Sequence, residues 1–132
     1  MKNYSSPYEA IGSQGIRDLV DRFYDLMESS PNYSSLREMH SSDLSKIRTQ
    51  LSDYLIGWMG GPQLYLEKHG TVCMTGPHKS FWIGPDERDQ WIACMYEAMD
   101  TIEMEDQVKE MLRKPLYNLA DAVRNQQVSK SN

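Results

Sequence analysis

Between Ile16 and Met27 the apolar residues Ile16, Leu19, Val20, Phe23, Tyr24 and Met27 recur at steps of three and four, while Asp18, Asp21 and Asp25 fall on the other side. That period fits a helix with one buried face and no pleated strand. A shorter helix precedes it. In Ser6-Pro7-Tyr8-Glu9, Ser6 can cap the first N–H groups, Pro7 suits the first helical position and Glu9 stands where a capping box needs an acid. Gly12 and Gly15 end this helix, Ser13 is placed to cap the next, and Glu28-Ser29-Ser30-Pro31-Asn32 breaks the long one.

The remainder is punctuated in the same way. Residues 31–43 read as a polar loop with at most a helical turn. Asp43 then caps a helix whose apolar face is Leu44, Ile47, Leu51, Tyr54, Leu55 and Trp58, stopped by Gly60-Gly61-Pro62. Most of the chain's 8 glycines and 6 prolines crowd between Gly57 and Pro85. This is a long irregular stretch, of the kind that usually carries function, with one short helix expected from Pro62 to Lys68. Pro85-Asp86-Glu87 opens a helix with the stripe Trp91, Ile92, Met95, Tyr96, Met99 and Ile102. A last helix turns Val108, Met111, Leu112, Pro115, Leu116, Leu119 and Val123 inward. Pro115 is expected to kink it, since an interior proline costs about 3 kcal/mol relative to alanine. No strand alternation competes, so the chain reads as all-α. Its 132 residues suit one domain spanning 1–132, with 1–6 and 126–132 as flexible tails.

With 19 acidic against 14 basic residues the net charge is −5, which argues against nucleic acid or an anionic membrane as partner. The longest apolar run, Trp91 to Tyr96, is far below the roughly 20 residues of a membrane span. The polar N-terminus does not resemble a signal peptide. Cys73 and Cys94 make neither a C-x-x-C pair nor a disulfide scaffold. A cytoplasmic monomer with reduced thiols is expected.

Three histidines are available for chemistry: His40, His69 and His78. Zinc on His69, Cys73 and His78 lacks a fourth ligand and a tight ligand pair. Neither cysteine lies in a nucleophile motif, and no G-x-S-x-G or phosphate-cradling glycine loop occurs. The nine methionines read as core filler, Tyr54, Tyr65, Tyr96 and Tyr117 as residues at the core's edge, and Cys94 as a small buried hydrophobe. His78 differs in its surroundings. Pro77 precedes it, Phe81-Trp82-Ile83 follows, and Trp91 begins the next apolar stripe. An imidazole backed by aromatics beside a helical core is what axial ligation of haem iron requires. A plain surface-loop histidine is the alternative.

Several motifs together resemble group II of the truncated haemoglobins: Gly60-Gly61-Pro62-x-x-Tyr65, His69-Gly70, His78-x-x-Phe81-x-Ile83 and Arg88-Asp89-x-Trp91-x-x-Cys94-Met95, with Pro7-Tyr8-Glu9-Ala10-Ile11-Gly12 and Phe23-Tyr24 upstream. The resemblance runs from about residue 7 to residue 124. It implies a two-over-two helical sandwich enclosing haem b, with His78 as the proximal iron ligand and Tyr24 and Trp91 as distal groups facing bound ligand. Phe81 and Ile83 match pocket-wall positions. Ile47 stands where many larger globins place a distal histidine, and Leu51 lies one turn further on. The chain departs from the pattern in three places. His40 replaces the usual phenylalanine or tyrosine, the segment between Tyr24 and His40 is about three residues longer, and Pro77 and Gln50 stand where basic residues often meet the haem propionates. Lys79 and Arg48 are then the candidates for that contact. His40 is read either as a hydrogen-bond partner of Tyr24 or the ligand, or as an internal sixth iron ligand; a solvent-facing histidine is the plain alternative.

The resemblance implies binding of O2, CO or NO. Each hydrogen bond from Tyr24 or Trp91 to a partly charged ligand would contribute roughly 1.5–3 kcal/mol, slowing O2 release by one to two powers of ten. Slow release suits oxygen binding and scavenging of reactive nitrogen and oxygen species better than bulk oxygen transport. An enzymatic alternative, NO dioxygenase or peroxidase-type turnover, would need an external reductase, and no residue is assigned a catalytic role. A haem-free helical interaction module is the third reading.

Overall fold

The computed structural model of the chain describes residues 4–72 and 81–126. Its helices are α1 (Pro7–Ser29), α2 (Ser34–Glu38), α3 (Ser45–Trp58), α4 (Leu64–His69), α5 (Pro85–Thr101) and α6 (Asp106–Ala122), with a 3-10 turn at Pro31–Tyr33. The described residues contain no strand. Helix α1 lies against both α3 and α5, and α5 against α6. The pairs α1–α3 and α5–α6 thus form the two layers of a helical sandwich. None of the described helices is long and apolar enough to cross a membrane.

The six periodic residues of α1 are all buried, each contributing roughly 1.5–3 kcal/mol through removal from water. The two expected helices form one element broken at Gly12, whose φ of 74° and ψ of 170° are glycine conformations. Ser6 caps as expected, its hydroxyl accepting the Glu9 N–H at 3.2 Å. Glu9, however, accepts the Ser5 N–H at 2.7 Å, one residue upstream of the capping-box position. The stretch after α1 is more ordered than a polar loop. Tyr33 and Leu36 are buried there and pull the chain into the 3-10 turn and α2. Two apolar anchors three residues apart suffice to fix one turn against a core.

The N-cap of α3 is Leu44 and not Asp43 as expected; Asp43, one residue earlier, accepts the Ser45 N–H at 2.9 Å and the Ser45 hydroxyl at 2.8 Å. The inward face differs from the apolar list. Leu44 and Leu55 are buried, but so are Ser52, Asp53, Ile56 and Met59, whereas Ile47, Leu51, Tyr54 and Trp58 are half-buried. Asp53 is only 2% exposed and bonds Arg17 of α1 at 3.0 Å and Lys68 of α4 at 2.6 Å. Burial acts to raise its pKa, but those two cations outweigh it and hold the carboxyl below the ordinary aspartate value. The Gly60-Gly61 stop is a close approach. A Cβ on Gly61 would meet the Tyr8 ring at 2.5 Å and the Ile56 carbonyl at 2.9 Å.

The short helix begins at Leu64, later than Pro62, and ends at Gly70, which takes a left-handed φ of 73°. Of the irregular stretch, residues 70–72 and 81–84 carry no helix, and 73–80 lie outside the described residues. Helix α5 buries Ile92, Met95 and Met99, joined by Cys94 and Ala98. Helix α6 buries Val108, Leu112, Leu116 and Ala120. Pro115 is not inward as expected but exposed, and the helix continues through it. On that face water can take the carbonyl that proline leaves unpaired. At the inner ends of the expected tails, Tyr4 donates to Glu105 at 3.1 Å and the Gln126 N–H to the Ile83 carbonyl at 3.0 Å.

Candidate functional site

A cavity of about 510 Å³ opens between the layers, within the range of small-molecule and cofactor sites. Tyr24 reaches it from α1, and Leu36, Met39 and His40 from α2 and the turn after it. Ile47, Leu51 and Tyr54 line it from α3, Trp91 from α5, and Leu119 and Ala120 from α6. Phe81 and Ile83, in the extended chain before α5, complete the apolar wall. This division explains the half-buried face of α3: Ile47, Leu51 and Tyr54 face the cavity instead of packed protein.

The candidate distal groups come together. Tyr24 is 3% exposed. Burial pushes its phenol well above the ordinary tyrosine value, the Arg48 guanidinium acting in the opposite sense. Tyr24 is therefore a protonated hydroxyl, able to donate. Phe23 is fully buried and meets both neighbours edge-on, with centroids 4.9 Å from Tyr24 and 5.3 Å from Trp91. One ring therefore braces both donors. His40 is half-buried, its ring centroid 5.8 Å from that of Tyr24 at 75°, so it is not a solvent-facing loop end. Its Nδ1 lies 2.8 Å from the Leu36 carbonyl oxygen. A carbonyl only accepts, so Nδ1 carries the proton and, in the neutral ring, Nε2 is the nitrogen with the lone pair. Neutral His40 can accept a hydrogen bond or ligate through Nε2, but it cannot donate there.

The remaining candidates separate. Arg48 does not line the cavity. Its guanidinium spans to α1, bonding the Asp21 carbonyl at 3.0 Å and the Asp25 carboxylate at 2.9 Å, 5.7 Å from the Tyr24 centroid. His78 and Lys79 lie outside the described residues, as does Cys73. The His69 ring stacks on Tyr65 at 4.3 Å. No group of three or more potential metal ligands occurs among the described residues. Lys46, Glu87 and Arg88, to which the sequence assigned no site role, also line the cavity. Lys46 was legible: it lies one helical turn before Gln50 and shares its face. Glu87 was not, because its burial follows from accepting the Gly84 N–H at 2.8 Å, which reads as a simple cap.

These residues suit a flat apolar macrocycle bearing carboxylates. Most of the lining is apolar, while Asp43, Lys46, Gln50 and Arg88 supply charge and polarity. The comparisons with known proteins agree. Residues 6–125 match the family of bacterial-like globins. The chain is 35% identical over 111 residues to the group 2 truncated haemoglobin YjbI of Bacillus subtilis, covering 84% of this chain and 82% of the relative. The fold superposes on the group II 2-on-2 haemoglobin of Agrobacterium tumefaciens with a TM-score of 0.88 and 38% identity, over 96% of this chain and 98% of that one. The chain belongs to the group II truncated haemoglobins. A third likeness is to the truncated oxygen-avid haemoglobin of Bacillus subtilis, with a TM-score of 0.82 and 34% identity over 92% and 100% of the two chains. As a truncated haemoglobin the chain has the two-over-two sandwich described above, and its function is haem-based binding of small ligands such as O2.

Proposed function

We propose that this truncated haemoglobin binds O2, and also CO and NO, at haem b held through His78, and serves oxygen binding and scavenging of reactive nitrogen and oxygen species. Haem held by the neutral imidazole of His78 would supply an iron able to bind a diatomic ligand. The carrying observation is the buried Tyr24 hydroxyl, kept protonated on the cavity wall and braced with Trp91 through Phe23. Tyr24 donates toward the ligand, and Trp91 can add only a donor, its indole N–H. Ile47 and Leu51 exclude water beside them. Phe81 and Ile83 wall the macrocycle, and Lys46, with Lys79, meets the propionates. The oxygen-avid description of the Bacillus subtilis relative supports slow release.

His40 takes the role its tautomer permits, accepting from Tyr24 or coordinating the iron through Nε2 when no ligand is present. A histidine that donates its other N–H to a backbone carbonyl is the common arrangement of ligating imidazoles. The same donor set favours a second reading, NO dioxygenase or peroxidase-type turnover fed by an external reductase, since donors that hold O2 also assist O–O chemistry. We place the protein in the cytoplasm as a monomer of one domain. The experiment that tests the main reading is a visible spectrum of the ferric, ferrous and CO-treated protein with its His78→Ala variant. The parent should show a Soret band that shifts under CO, and the variant should lose it. An unshifted band in the parent, or an equally responsive variant, overturns the proposal. Stopped-flow mixing of oxygenated protein with NO and then a reductant decides the enzymatic reading: without rapid return to the ferrous form, it fails.

A further inference from the structure

The chain from Phe81 to Gly84 belongs to no helix, yet its polar backbone is engaged. The Ile83 N–H donates to Asn125 Oδ1 at 2.9 Å, and Asn125 Nδ2 donates to the Phe81 carbonyl at 2.7 Å. The Asn125 and Gln126 N–H groups both donate to the Ile83 carbonyl, at 2.9 and 3.0 Å. The amide orientation is fixed by its partners: its oxygen faces an N–H and its nitrogen a carbonyl. The turn presenting Asn125 is itself tied. Arg124 bonds Asp121 at 2.8 Å and the Gln126 carbonyl at 2.8 Å, and Arg88 of α5 reaches the same Asp121 oxygen at 2.9 Å. Asn125 therefore joins the end of α6 to a strip of chain whose Phe81 and Ile83 are cavity wall. Phe81 is 41% exposed, so burial alone holds it poorly.

We propose that Asn125 is a positioning residue of the haem pocket: it clamps the Phe81–Ile83 wall against the C-terminal end of α6 and so governs how long haem is retained. The inference rests on the haem reading above. It assigns a role beyond the end of the last helix, in the turn just before the tail expected from residue 126. Aspartate at this position would keep an acceptor for the Ile83 N–H but set an anionic oxygen against the Phe81 carbonyl. Alanine would remove both side-chain bonds and leave the two backbone bonds to Ile83.

The test measures haem transfer from the full-length protein to an excess of a haem-scavenging apoprotein, with amide hydrogen exchange at Ile83 and at the core residue Leu116. Asn125→Ala should speed haem loss roughly tenfold, the scale of losing two neutral hydrogen bonds. It should speed exchange at Ile83 while leaving Leu116 as protected as in the parent. Asn125→Asp should also speed haem loss and exchange at Ile83 with Leu116 unchanged, and it keeps the test decisive should the alanine variant not fold. Haem loss within twofold of the parent in both variants overturns the proposal. So does a faster loss matched by equal acceleration at Leu116, which would mark a merely structural tie. If the parent itself holds no haem, the underlying reading falls as well; if it holds haem and both variants hold it as long, only the role of Asn125 falls.

Discussion

The rings of Tyr24 and His40 meet edge-on, 5.8 Å between centroids and 75° between planes. One is a hydroxyl kept protonated by burial, and the other an imidazole whose Nδ1 proton is committed to the Leu36 carbonyl. A donor and an acceptor thus share one end of the cavity.

Tyr24→Phe removes the donor and keeps the ring with its contact to Phe23. O2 dissociation, followed by stopped flow, should accelerate by one to two powers of ten, as loss of a hydrogen bond of roughly 1.5–3 kcal/mol requires. An unchanged off-rate would assign retention to Trp91 alone.

His40→Leu should abolish any six-coordinate low-spin bands in the ferric spectrum and speed CO association to the ferrous protein. A parent that is five-coordinate or water-bound at every pH would show that His40 does not reach the iron. Because the His40 and Tyr24 rings are in contact, the double variant should depart from the product of the single effects on the O2 off-rate.

Asp53→Asn tests the buried clasp joining α1, α3 and α4. The folded-state pKa of Asp53 lies below its ordinary value near 3.8. Its ionised form therefore contributes stability above that value, which is lost as pH falls through the lower folded pKa. The variant should be less stable near neutrality by roughly 1.5–3 kcal/mol, and the gap to the parent should shrink below about pH 4. Urea unfolding at pH 7 and pH 3 measures both. A gap that widens in acid would contradict the ion-pair account.

Gly61→Ala should destabilise the fold by about 1–3 kcal/mol, because the new methyl meets the Tyr8 ring and the fixed Ile56 carbonyl at once. Thermal melts check this. A neutral substitution would mean that α1 shifts freely over the end of α3.

What the sequence revealed and what it hid divide along physical lines. The period of Ile16 to Met27, the Ser6 cap and the Gly60-Gly61 stop are local signals, and each appears in the fold where those residues demand it. Tyr24, His40, Ile47, Leu51, Phe81, Ile83 and Trp91 all line one cavity, although nothing local announces that Ile47 and Leu51 face a void while Leu55 faces the core. Apolar residues look alike in sequence whether their neighbour is protein or cofactor. The relationships that escaped were long-range and polar. Asp53 carries no local signal, because its partners Arg17 and Lys68 arrive from other helices. Arg48 reads as a propionate partner until Asp21 and Asp25 claim it. Asn125 has no meaning without the chain before α5.

Cys94 is wholly buried, its thiol giving its weak hydrogen bond to the Phe23 carbonyl at 3.2 Å, and burial pushes its pKa up to about 12. Almost no thiolate exists at neutral pH, and no alkylating reagent can touch the sulfur while the layers stay closed. With Cys73 exchanged for serine, the molecule would therefore carry a built-in clock: the pace at which Cys94 takes up a label reports how often the two helix pairs part.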